Sequence, residues 1–95
     1  MIDHLVFLAV REDATPEDVA DLISSIRGLK DTVPGVVDLS VGENFSERSG
    51  GYTHGMFVRL ETVEGLQEYL KHPDHLSVVD KLDALTSRIV VDYEF

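Results

Sequence analysis

The sequence predicts an α+β fold of ferredoxin-like topology, β-α-β-β-α-β, with one four-stranded antiparallel sheet carrying its helices on one face. Three observations lead there. Two segments, Ile2 to Val10 and Tyr52 to Glu61, alternate with the period of a strand yet are apolar on both faces, as strands in the middle of a sheet are. A helix start, Thr15-Pro16-Glu17-Asp18, follows the first of them and a Val33-Pro34-Gly35 turn closes that helix. A second helical stretch follows the other strand, is interrupted at His72-Pro73, and leads into a last apolar strand.

Taken in order, Ile2 to Val10 places His4, Val6, Leu8 and Val10 on one face and Leu5, Phe7 and Ala9 on the other. Thr15 can cap the first helix because its hydroxyl accepts from the free N–H groups of the first turn, and Pro16 at the first helical position loses nothing by lacking an N–H. Val19, Leu22, Ile23, Ile26 and Leu29 then form the apolar stripe. From Val36 to Phe45 the pattern is a strand with Val37, Leu39 and Val41 inward and Asp38 and Ser40 outward, which suits an edge. Ser46 to Gly51 is a polar, glycine-ended connection that could act as a lid.

In the strand from Tyr52, His54, Met56, Val58 and Leu60 share one face, and Thr53, Gly55, Phe57 and Arg59 the other. Thr62 caps the next helix, whose stripe is Val63, Leu66, Tyr69 and Leu70, and Lys71 stands at its negative end. Pro73 forces a break at His72 and can begin a new helix, on which Leu76, Val79, Leu82 and Leu85 recur every three residues. His75 falls in the first turn of that helix, where the positive dipole end favours a neutral ring. Arg88 to Phe95 is the closing strand, with Ile89, Val91, Tyr93 and Phe95 opposite Val90 and Asp92.

Composition excludes several classes of function. A net charge of −10, from 18 acidic and 8 basic residues, argues against nucleic acid or an anionic membrane as partner, since both require a basic face. Without cysteine there is no disulfide, thiolate nucleophile or cysteine-bound metal. No apolar run approaches a membrane span, no secretory leader pattern is visible, and a cytoplasmic location is expected for a single domain over residues 1–95. Four histidines raise the question of a metal, but Pro73 interrupts the His72/His75 pair and no nearby carboxylate completes a ligand set, so no metal and no cofactor is expected. Helices can cover one sheet face only. The other, also apolar, is expected to pack on the same face of a second copy, a two-fold contact that joins two sheets into an α+β barrel.

The opening M-I-D-H-L-V, the V-P-G-V turn, G-Y-T-H before the third strand, Y-L-K-H-P-D-H after the second helix and the closing I-V-V-D-Y resemble, in that order, the stress-responsive dimeric α/β-barrel (Dabb) family. The resemblance covers nearly the whole chain. It implies a homodimer and, by likeness to a plant polyketide cyclase of the family that performs an aldol condensation without a cofactor, a catalytic pair at His4 and His75 with a pocket tyrosine at Tyr69. The pocket walls it implies are Val6, Leu8, Leu22, Ile23, Met56, Val58 and Leu66. A second pocket tyrosine of that enzyme falls at Ile26 here, a departure that bears on the reaction and its substrate.

Read without the family, the same residues have plainer roles. His75 is either a general base or a helix-start histidine bonded to the preceding loop. His4 on an apolar strand face is otherwise a core histidine, Tyr69 core packing, and His54 and His72 are structural. Two functions are thus open: a pocket for a small apolar or polyketide-like carbonyl compound, with His75 as base and His4 and Tyr69 holding oxygen, or a non-catalytic protein acting through assembly or sequestration. A cofactor-free monooxygenase is the neighbouring alternative to the first.

Overall fold

In the computed structural model, which describes residues 1–95, the chain order is β1 (Ile2–Val10), α1 (Pro16–Thr32), β2 (Val36–Glu43), β3 (His54–Leu60), α2 (Val63–Lys71), α3 (Pro73–Leu85) and β4 (Thr86–Glu94). The strands form one antiparallel sheet in the order β2-β3-β1-β4. The two segments that are apolar on both faces, β1 and β3, are therefore the central pair. Helices lie on one face only, and the ferredoxin-like expectation holds.

Local chemistry sets the helix ends. Thr15 Oγ1 accepts from the Asp18 N–H at 3.1 Å while the Asp18 carboxylate accepts from the Thr15 N–H at 3.3 Å, a reciprocal cap that starts α1. Thr62 Oγ1 accepts from the Gly65 N–H at 3.0 Å to start α2. His72 ends α2 and caps α3, its Nδ1 accepting from the Asp74 N–H at 3.1 Å. The break at Pro73 thus leaves few backbone donors unpaired, and α3 can restart one residue after α2 stops.

The core lies between helices and sheet. Leu8 and Val58 from the central strands meet Leu22, Ile26 and Leu29 of α1, with Leu66 and Tyr69 of α2 and Val78 and Leu82 of α3 closing the layer. The opposite face is uncovered. There Phe7, Ile89, Val91 and Tyr93 stand roughly half exposed, around a polar knot in which Arg59 donates to both Asp3 oxygens at 2.7 and 3.0 Å and the Tyr93 hydroxyl donates to Asp3 at 3.1 Å. The Arg59 guanidinium also lies over the Phe57 and Phe95 rings, at 5.2 and 5.1 Å.

Four expectations are corrected. Val37 is outward and exposed, because a bulge between Val36 and Asp38 gives the inner place opposite Leu60 to Val36. Strand β2 ends at Glu43, leaving Phe45 fully exposed, and β3 begins at His54 and ends at Leu60. The buried stripe of α3 is His75, Val78 and Leu82, with Leu76 half exposed: a strict step of three drifts off a face whose true period is 3.6. Strand β4 begins at Thr86, directly after α3. No helix is long and apolar enough to cross a membrane.

Candidate active site

His4, Tyr69 and His75, three residues far apart in sequence, come together between the sheet and the paired helices. His4 faces the helices from β1, beside Val6 and opposite Val58 of β3 and Asp92 of β4. Tyr69 comes from the last turns of α2 and His75 from the first turn of α3, so the His72-Pro73 break is what sets these two rings side by side. Ring centroids are 4.4 Å apart for Tyr69 and His75 and 5.9 Å for His4 and Tyr69. All three side chains are buried.

Hydrogen bonds fix which ring nitrogen is free. His75 Nδ1 lies 3.1 Å from the Leu70 carbonyl, which can only accept, so Nδ1 carries the proton and the neutral ring keeps its lone pair on Nε2. Burial pushes the His75 pKa below its ordinary value; the Leu70 carbonyl opposes this, and the fields of His4, Arg88 and His72 add to it. One ring nitrogen thus bonds the preceding turn, and the other is left over. His4 Nδ1 is hydrogen-bonded to the Asp92 carboxylate, which fixes its ring and leaves Nε2.

Tyr69 supplies the third feature. Its hydroxyl is buried and has no hydrogen-bond partner within the chain. Burial alone pushes its pKa far above the ordinary phenol range, so it is a neutral O–H, a donor without an acceptor.

These groups border a cavity of about 190 Å³ that reaches the surface along β4, where Val90 and Asp92 are partly exposed. Of the walls expected from sequence, Val6 and Met56 line it. Leu8, Leu22, Ile26 and Val58 do not: they are wholly enclosed in the main core, and Leu66 is buried beside them. Ile23 lines a separate hollow of about 640 Å³ between α1 and the end of β2, with Arg27, Glu43 and His54. A third hollow, of about 450 Å³, lies beside the β2–β3 connection around Phe7, Arg48 and Tyr52. Both are larger than the cavity at His75, but neither brings together two buried imidazoles and an unpaired hydroxyl donor.

Sequence reasoning missed Asp92 and Arg88, along with the apolar wall Leu70, Val78, Val79, Leu82 and Val90. Asp92 was legible in principle, as the acid that interrupts the apolar run of the closing strand on the face it shares with Val90. The remaining histidines lie outside this cavity: His54 Nδ1 bonds Thr53 Oγ1 at 2.9 Å, and His72 caps α3. No group of three or more His, Asp or Glu side chains is arranged to hold a metal ion.

A family model described as the stress responsive A/B barrel domain, Dabb, matches residues 2–95. The chain is 25% identical over 95 residues to olivetolic acid cyclase of Cannabis sativa, spanning 97% of this chain and 94% of that protein. Among solved structures, a dimeric ferredoxin-like protein of unknown function from Jannaschia sp. CCS1 matches with a TM-score of 0.86 at 25% identity, over 99% of this chain and 98% of that one. A hydroxynitrile lyase from Passiflora edulis matches with a TM-score of 0.89 at 18% identity, over 97% and 90% of the two chains.

Proposed function

This chain belongs to the stress responsive A/B barrel domain family, and we propose that it binds a small carbonyl compound in the cavity at His75 and removes a proton from the carbon next to that carbonyl. The observation that carries the reading is the Tyr69 hydroxyl, buried with no acceptor of its own in the chain. A buried donor left unpaired is costly, and a ligand carbonyl oxygen is the acceptor that would relieve it. In the step, His75 Nε2 takes the proton, the C–H electron pair moves onto the carbonyl oxygen as an enolate, and the Tyr69 O–H holds that oxygen. His4, oriented by Asp92, is the second group able to hold or return a proton. The step needs only side chains, and it is the first half of an aldol-type cyclisation, the kind of reaction a cyclase would use.

The working unit in this reading is a homodimer formed through the open sheet face, where half-exposed Phe7, Ile89, Val91 and Tyr93 surround the Asp3–Arg59 pair. That face also supports the second reading, a non-catalytic assembly protein, because it needs no cavity. A thermal-shift screen of the wild type against a His4→Ala/His75→Ala variant, with short and polyketide-like carbonyl compounds, separates the two. The carbonyl reading expects a rise in midpoint that the variant loses. No shift with any compound, and a variant as stable as the wild type, leaves assembly.

A further inference from the structure

Eight of the twelve residues around the cavity are apolar; the other four are His4, His75, Asp92 and Arg88. The chemistry above uses the first three. Arg88 stands on β4 opposite Leu8, on the helix-facing side, with its side chain 25% exposed. Of the eight lysines and arginines in a chain of net charge −10, it is the one on this wall. Its side chain has a single polar contact, Nη2 to the Asp83 carboxylate at 2.8 Å, and Asp83 is 62% exposed. A pair so open to solvent holds the guanidinium only weakly. Most of its five N–H donors are left over, at the edge of an apolar cavity, and Asp92, the acid nearby, is already engaged by His4.

We propose, resting on the carbonyl-pocket reading, that Arg88 binds a carboxylate of the substrate, so that the site takes a short keto acid. A guanidinium fork matches a carboxylate, and a desolvated wall strengthens the match. Size agrees with this class. At about 30 Å³ per water the 190 Å³ cavity holds about six waters' worth of material, enough for a chain of a few carbons and too little for a long polyketide. In a short β-keto acid the carboxylate rests on Arg88, the ketone oxygen on Tyr69, and the acidic C–H between them meets His75. The proton passes to His75 Nε2, the electron pair to the ketone oxygen, and the carboxylate is retained.

The test is a pair of isosteres, acetoacetate and acetoacetamide, titrated by NMR against the wild type, Arg88→Met and Asp83→Asn. The wild type is expected to bind the acid about ten- to a hundredfold more tightly than the amide, the range of one charge-assisted contact. Arg88→Met should bind both alike, and Asp83→Asn, which breaks the same tether but frees the guanidinium, should keep or increase the preference. Equal binding of both by the wild type, or a preference surviving in Arg88→Met, overturns the role of Arg88 and leaves the carbonyl pocket standing. Loss of the preference in both variants makes Arg88 a structural tether and overturns it likewise. Failure of the wild type to bind either compound overturns the pocket reading together with it.

Discussion

Replacing Tyr69 by Phe should make this protein more stable and less active. Tyr69 is 0% exposed and its hydroxyl has no partner in the chain. Burying a hydroxyl without a hydrogen bond costs about 1–3 kcal/mol, which the phenyl ring does not incur. The ring itself keeps its contacts with His4 and His75 at 5.9 and 4.4 Å. Against the gain stands a hole the size of one oxygen, worth about 0.3 kcal/mol at about 24 cal/mol per Å³. The net is a stabilisation of about 0.7–2.7 kcal/mol. In a domain of 95 residues, where 1 kcal/mol moves the midpoint by about 4–8 °C, the midpoint of thermal unfolding followed by circular dichroism at matched protein concentration should rise by at least about 3 °C. Proton abstraction should fall by about 10²–10³, the usual loss for one donor to a developing oxyanion. A Tyr69→Phe protein less stable than the wild type would show that the hydroxyl already has a partner, and the argument from an unpaired donor would fail.

Three further outcomes follow from the same geometry. Because burial holds the His75 pKa below its unfolded value, the native state binds fewer protons than the unfolded chain in the window just under pH 6.5. Stability should therefore be level above that pH and decline as the pH falls through the window, and urea unfolding of His75→Ala should show a shallower decline. Val91→Glu places a charge on the open sheet face at a half-exposed residue, so light scattering should find a folded monomer in place of a dimer; a dimer that persists would move the interface elsewhere. Asp92→Asn removes the charge that orients His4 while keeping the side chain's shape, and should weaken carbonyl binding several-fold with little change in unfolding midpoint.

The fold was legible because each element announces itself locally. Thr15 with Pro16 and Asp18, Thr62, and His72 with Pro73 are helix ends in the sequence for the reasons they are helix ends in the structure. The two-faced apolar strands fixed the sheet's centre. The misreading of Val37 depended on non-local pairing: it turns outward because of a bulge against β3, which no pattern within β2 records. The site was half legible. His75 after a proline break is visible as a candidate base, and the family resemblance added His4 and Tyr69, but the cavity walls were not visible. Leu8 and Val58 share the helix-facing side of the sheet with His4, yet they pack with Leu22 and Ile26 of α1 in the main core, while the cavity opens toward β4. Which apolar residues surround a hollow and which fill a core depends on how far the helices extend across the sheet, and periodicity carries no information about that.

The most direct test of the account is deuterium exchange at the carbon between the carbonyls of a short β-keto acid or its amide, followed by NMR in D₂O with wild type and with a folded His75→Ala variant. The account predicts exchange above the buffer rate with the wild type, an acid limb below pH 6.5, and loss of that excess in the variant. Exchange at the buffer rate with the wild type for both compounds, or an excess undiminished in His75→Ala, would contradict a base at His75.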